Sequence, residues 1–192
     1  MYIGIDLGTS AVKLLLMEKD GKIPNIVNRE YPIAFPHPGW SEQDPTDWWN
    51  AVKEGIPALL HGFDASQVKG IGVGGQMHGL VVLDKDDNII RPCILWNDGR
   101  TQPQVDHLNQ VVGKEKLSQY TANIAFAGFT VPKLLWMRQN EPALFAHADC
   151  AQKLVKIKSE TRPDPELVQK YNAKYAVWKQ LYPLLRPIEK EL

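Results

Sequence analysis

The sequence predicts an α/β domain in which helices pack on a mixed sheet, followed by a C-terminal helix. Three observations carry this expectation. Short apolar runs separated by turn residues fill the N-terminal half up to Trp96. Apolar residues at helical spacing dominate Gln102 to His147. A last helical stripe, Leu167, Tyr171, Tyr175, Trp178 and Tyr182, follows a proline-rich linker.

Taken in order, Tyr2–Asp6 and Ala11–Met17 read as two strands joined by Leu-Gly-Thr-Ser, and Ile23–Tyr31 as a third after the Asp20-Gly21 turn. Together they form an antiparallel meander. After Pro32, Pro36 and Pro38, Asp44-Pro45 is a helix start, with Asp44 as N-cap, Pro45 at N1 and Asp47 at N3. Trp48 or Trp49, Val52, Ile56 and Leu59 or Leu60 give that helix one core face, and Pro57 is expected to kink or end it. Val68–Val73, Leu80–Leu83 and Ile89–Trp96 are further strands, with Asp86-Asp87-Asn88 turning between the last two. The helical stretch that follows breaks at Gly113, Gly128, Pro132 and Pro142. In the tail, Val155 and Ile157 alternate with lysines in a strand-like piece. There Asp164 caps and Pro165 opens the final helix, which ends at Pro183 and whose stripe suits packing onto the domain.

Composition narrows the function. The 192 residues suffice for one domain, or one domain and a fragment. Lys plus Arg number 22 and Asp plus Glu 22, so no bulk charge draws in nucleic acid or an anionic membrane. MYIGIDLG lacks the basic segment of a secretory leader, and apolar runs such as Leu14–Met17 and Leu80–Leu83 are far too short to span a bilayer. The expectation is a cytoplasmic protein. Cys93 and Cys150 lack zinc-site spacing and read as buried small hydrophobes. The motifs GxxxxGK[ST], HExxH and GxSxG are absent, which sets aside a P-loop, a zincin and an α/β-hydrolase.

Three short stretches can carry chemistry. In Gly4-Ile5-Asp6-Leu7-Gly8-Thr9-Ser10, Gly8 lets main-chain N–H groups approach an anion. Thr9 and Ser10 add hydroxyls, and Lys13 adds charge on the next strand. Asp6 facing phosphates makes sense if it holds a hydrated Mg²⁺. An ordinary hairpin turn accounts for the same residues equally well. Gly70-Ile71-Gly72-Val73-Gly74-Gly75 matches G-x-G-x-x-G, but the glycines lie inside a strand and no helix follows, so it is not a dinucleotide fingerprint. Such glycines imply close approach by a backbone or ligand, and the strand delivers Gln76, Met77 and His78 at its end. A lone histidine is more often structural, yet beside Gln76 and four glycines it is read as a ligand-binding group. Finally, Trp96-Asn97-Asp98-Gly99-Arg100-Thr101 is either a plain turn or a sugar-binding set, with an indole for a carbon face and Asp98 and Arg100 for hydroxyls.

Read in order, GIDLGTSAVK, HPGWSEQDPTDWW, VGGQMHG, ILWNDGRT and GFTVPKLLW resemble the N-terminal domain of the FGGY carbohydrate kinases over about the first 147 residues. QMHG and WSEQDP point toward the members that act on D-xylulose. The resemblance implies the actin-like ATPase (ribonuclease H-like) fold, with two domains closing over ATP and a ketose sugar. It further implies that Asp6 supports Mg²⁺ and the phosphates, and that Gly8, Thr9, Ser10 and Lys13 form the phosphate loop. Met77 and His78, with Gln76 beside them, would contact the sugar, and Trp96, Asp98 and Arg100 would lie near it.

The family's chains are much longer, and the match stops near His147. RPDPELVQKYNAKYAVWKQLYPLLRP then resembles the extreme C-terminus of the same family. Residues 1–150 are therefore expected to be the family's N-terminal domain and 151–192 a remnant of its C-terminus. The segment between them, with the general base and the adenosine pocket, is expected to be missing. All 14 glycines lie at or before Gly128, so no later loop replaces those of that segment, and Asp149 and Asp164 stand in the wrong contexts to replace its base. The implied reaction is ATP plus D-xylulose to ADP plus D-xylulose 5-phosphate, with this chain crippled on its own. The alternatives are a non-catalytic sugar- or phosphate-binding module, one that associates with a full-length copy, or a marginally folded chain whose sheet lacks its last family strand. Self-association is left open by the sequence.

Overall fold

The computed structural model of the chain describes residues 1–148 and Gln169. The tail strand at Val155 and Ile157, the final helix apart from the helical Gln169, Asp149, Cys150 and Asp164 lie outside the described residues. The elements are β1 (Tyr2–Leu7), β2 (Ala11–Met17), β3 (Asn25–Glu30), β4 (Glu42–Gln43), α1 (Pro45–Leu59), β5 (Gly70–Gly75), β6 (Cys93–Ile94), α2 (Gln102–His107), α3 (Lys114–Thr121), α4 (Thr130–Asn140) and α5 (Pro142–His147). Leu108–Gly113 is a wider helical turn between α2 and α3.

The meander expected from alternation is present, because Ile3, Ile5, Val12, Leu14 and Leu16 put every second residue on one buried face. Sheet order is β3-β2-β1-β5, with β1 antiparallel to β2 and β2 to β3. The chain crosses back through α1, so β5 runs parallel to β1. Helix α1 covers the apolar face with Ala51, Val52 and Leu59. Gly55 permits that close seat: a Cβ there would lie 2.1 Å from Leu14 Cδ1.

Helix α1 begins as expected, the Asp44 carboxylate accepting the Thr46 N–H at 2.8 Å. It does not end at Pro57, which removes one hydrogen bond near the last turn. Leu59 is fully buried, and Asn25 Nδ2 on β3 donates to the Leu59 carbonyl at 2.8 Å, so tertiary contacts hold the turn that proline weakens. Pro132 likewise fails to break α4: it is the third helical residue, where the N–H has no intrahelical acceptor to lose.

The later strands differ most from expectation. The Val68–Val73 strand is displaced to Gly70–Gly75, because Val68 closes a short turn capped by Asp64 and pairing starts opposite Tyr2. Leu80–Leu83 and Ile89–Trp96 shrink to β6 and isolated bridges, Leu80 with Ile94 and Leu83 with Ile89. Pro92 has no N–H for a ladder, and the Arg91 side chain turns away to Glu42 and Glu141. Around β6 a second core gathers Leu80, Val82, Ile94, Trp136 and Met137. Strand β5 closes the described sheet as an edge. Ile71 and Val73 continue the apolar face beyond α1 and stay exposed, Val73 at 67%.

Candidate functional site

Parallel strands β1 and β5 end side by side, and the Gln76 N–H donates to the Leu7 carbonyl at 2.8 Å. Strand β1 feeds the turn Gly8–Ser10 and β5 feeds Gln76–Gly79, so two of the motifs meet where ligands of open α/β sheets bind. A polar network adds two more. Trp96 Nε1 donates to Thr9 Oγ1 at 3.0 Å, and Thr9 Oγ1 donates to Gln76 Oε1 at 3.3 Å. Gln76 Nε2 and Trp48 Nε1 both donate to Gln43 Oε1, at 3.2 and 3.1 Å. Gln43 Nε2 donates in turn to the Thr9 carbonyl at 2.7 Å. Sequence offers Trp48 only as a core-face candidate of the helix and gives Gln43 no role of its own, although both stand in the WSEQDPTDWW string that carries the family resemblance.

The turn has its carbonyls tied inward. Tyr31 OH donates to the Gly8 carbonyl, Gln43 to that of Thr9, and the Tyr31 N–H to that of Ser10 at 3.2 Å. Among the described residues no hydrogen bond takes up the Thr9 and Ser10 amides, so the turn offers donors rather than acceptors. Gly8 gives the turn its shape instead of a donor, since its N–H bonds Ala11 O at 3.0 Å. Burial and then the Asp6 carboxylate push the Tyr31 phenol up to about 12, which keeps it a donor at neutral pH.

Asp6 and Lys13 are partners across β1 and β2, exposed on the sheet face that α1 leaves open. Asp6 is also in register with Gly74 on β5, where a Cβ would meet nothing within 4 Å, and the same holds for Gly72. The face beside the carboxylate is therefore bare backbone. No three His, Cys, Asp or Glu side chains converge among the described residues. A lone carboxylate next to a lysine and two open amides fits a hydrated Mg²⁺ carried in by phosphates, not an all-protein metal cage.

On the other side of the turn, a cleft of about 360 Å³ is lined by Leu7, Trp48, Val73, Gly75, Gln76 and His78 among others. His78 and Met77 are exposed, Met77 at 61%, and Trp96 shows 45% of its surface. His78 has φ +64° and its ring rests on Phe129, with centroids 4.6 Å apart. Cys93 also lines the cleft, but burial pushes its thiol up to about 11, which leaves it unreactive at neutral pH.

Asp98 and Arg100 go elsewhere. Asp98 accepts from the Ser41 N–H at 2.6 Å, from the Arg100 N–H and Nε at 2.9 Å, and from Arg100 Nη2 at 2.7 Å. Arg100 Nη1 lies 2.7 Å from Glu42, which also pairs with Arg91, and the guanidinium is stacked 3.7 Å from the Trp40 ring centroid. Both side chains are buried, so they brace the loop that presents Trp96 and offer no polar atoms to a sugar. This corrects the expectation for Asp98 and Arg100.

Lys133 was not singled out either, though it stands in the GFTVPK motif. Its side chain is fully buried and donates to the carbonyls of His78 at 2.7 Å and Gly128 at 2.5 Å. Burial lowers its ammonium from 10.5 to about 8. Above pH 8 the native lysine is neutral while the unfolded one still holds its proton, so stability rises with pH from there. Cys93, raised from 9.0 to about 11, takes the opposite sign above pH 9. The expected result is a gain of about 1 kcal/mol between pH 8 and 9, then a plateau. Urea midpoints measured across that range check it, and Lys133→Met should abolish the rise.

A family model described as the FGGY family of carbohydrate kinases, N-terminal domain, matches residues 1–160. A xylulose kinase of Klebsiella pneumoniae is 44% identical over 149 residues, 78% of this chain and 30% of the relative. One from Escherichia coli K12 is 42% identical over 149 residues, with the same coverage of each. Among solved structures, a Brucella ovis xyloylose kinase superposes with a TM-score of 0.72 at 43% identity, covering 77% of this chain and 31% of the other. The Rhodospirillum rubrum xylulose kinase gives 0.73 at 30% identity, covering 76% and 30%. The chain thus spans about 30% of the length of the curated relatives it matches.

Proposed function

Since the chain belongs to the FGGY family of carbohydrate kinases, whose fold of actin-like ATPase type its solved relatives share, we propose that it carries the sugar- and phosphate-facing part of an ATP-dependent ketose kinase, with D-xylulose as the sugar. The observation that supports this reading is the network joining Thr9, Gln43, Gln76 and Trp96 at the ends of two parallel strands. Through Thr9 it links an anion-facing turn and the half-exposed Trp96 indole to Gln76, which lines a cleft together with His78. In this reading His78, Gln76 and Met77 contact the sugar and Trp96 covers a carbon face. The Thr9 and Ser10 amides and Lys13 bind phosphate oxygens. Asp6 holds hydrated Mg²⁺. MgATP supplies the phosphoryl group, and the chain's own residues orient the acceptor hydroxyl and shield it from water.

Residues 1–150 carry this half, with 151–192 as the remnant of the family's C-terminus, in a cytoplasmic protein. No helix among the described residues is long and apolar enough to cross a membrane. The family resemblance implies that the general base and the adenosine contacts lie in the part of the relatives that this chain does not match, and on that reading the chain alone acts as a sugar-binding module. Titration calorimetry with D-xylulose tests the reading. Binding with Kd below about 1 mM is expected, the upper end of ordinary KM values, and Trp96→Ala should weaken it at least about tenfold, a loss of about 1.4 kcal/mol. A cooperatively folded chain that gives no heat with D-xylulose, or binds glycerol equally well, defeats it.

A further inference from the structure

His78 is a β-carbon-bearing residue in left-handed backbone, a conformation that costs roughly 1–3 kcal/mol and persists only where its surroundings over-determine it. Its carbonyl receives two side-chain donors, Lys133 Nζ at 2.7 Å and Thr130 Oγ1 at 3.3 Å, both from the first turn of α4. The same ammonium holds the Gly128 carbonyl, and Gly128 is seated so closely that a Cβ there would lie 2.6 Å from the Trp96 carbonyl oxygen. Phe129, between these anchors, supplies the surface on which the His78 ring rests. One cation therefore ties together the segments that present His78, Trp96 and Phe129. Among the described residues Lys133 makes no ion pair with a carboxylate. A buried ammonium is costly, and among the described residues the hydrogen bonds given for this one all go to those two main-chain carbonyls.

We propose that Lys133, assisted by Thr130, is the positioning residue of the sugar site, holding His78 in its left-handed conformation and its imidazole against Phe129. This rests on the reading of His78 as a sugar contact. It goes beyond that reading by making a buried residue of α4 control the affinity for the sugar.

The test compares Lys133→Met with Val82→Ala, which opens a cavity in the second core, a cluster that includes Trp136 and Met137 of α4 but not His78, in the 192-residue chain. The His78 ring resonance, identified by its absence in His78→Gln, is followed by proton–carbon NMR without sugar. The ring stacked on Phe129 should resonate upfield of a free histidine. In Lys133→Met this shift should collapse and D-xylulose affinity fall at least about tenfold, while Val82→Ala lowers the melting temperature and leaves both unchanged. If Lys133→Met does not melt cooperatively, Thr130→Val, which removes the second donor to the same carbonyl, should move the resonance the same way by a smaller amount. An unmoved His78 resonance in the folded variant, or unchanged affinity, overturns the proposal. Absence of sugar binding by the parent chain overturns the functional reading instead, and the resonance still decides the role of Lys133.

Discussion

Asp98→Ala lowers the stability of this chain by about 3–5 kcal/mol, the cost of removing one partner from a buried ion pair. The carboxylate takes four hydrogen bonds, and every one would be left without an acceptor. Arg100 would stay buried between Trp40 and Trp136, sharing with Arg91 the single carboxylate of Glu42. Asp98→Asn, which keeps the shape but loses the charge, should cost less, about 1.5–3 kcal/mol, because charge-assisted bonds become neutral ones. Urea unfolding at pH 7 reads both, with the m-value unchanged if only stability moves. A loss under about 1 kcal/mol for Asp98→Ala would show that the guanidinium is held by Glu42 and the indoles alone.

Given D-xylulose and MgATP, the chain releases ADP at least about 10²–10⁴-fold more slowly than a full-length relative assayed beside it, the usual worth of a general base alone. Phosphoryl transfer relies on positioning and on electrostatic stabilisation in a closed site, and the chain spans about 30% of the relatives that it matches. Asp6→Ala should remove whatever turnover remains and leave D-xylulose binding intact, since Asp6 lies on the open sheet face and not among the residues lining the cleft. The assay is coupled ADP release on protein of confirmed intact mass. Turnover near that of the relative, lost in Asp6→Ala, would mean that a base and nucleotide contacts are supplied within this chain or by a second copy.

Local pattern determined a good deal by itself. The alternation of Ile3, Ile5, Val12, Leu14 and Leu16 sets the register that pairs Asp6 with Lys13, because a one-residue slip would expose the whole apolar set. Asp44-Pro45 specifies the start of α1 through capping, and the glycines of Gly70–Gly75 lie in a strand as their spacing requires. The order of the motifs carried the family. Tertiary structure decided the rest, for one physical reason: polar side chains choose partners that are distant in sequence. Asp98 and Arg100 read as a sugar set until Ser41, Glu42 and Trp40 enclose them. Pro57 reads as a kink or a stop, and the helix runs on only as far as Leu59, where Asn25 caps the last turn. Gln43 and Lys133 stand inside family motifs, yet nothing local shows their roles, which lie in the carbonyls of Thr9, His78 and Gly128 that folding brings to them.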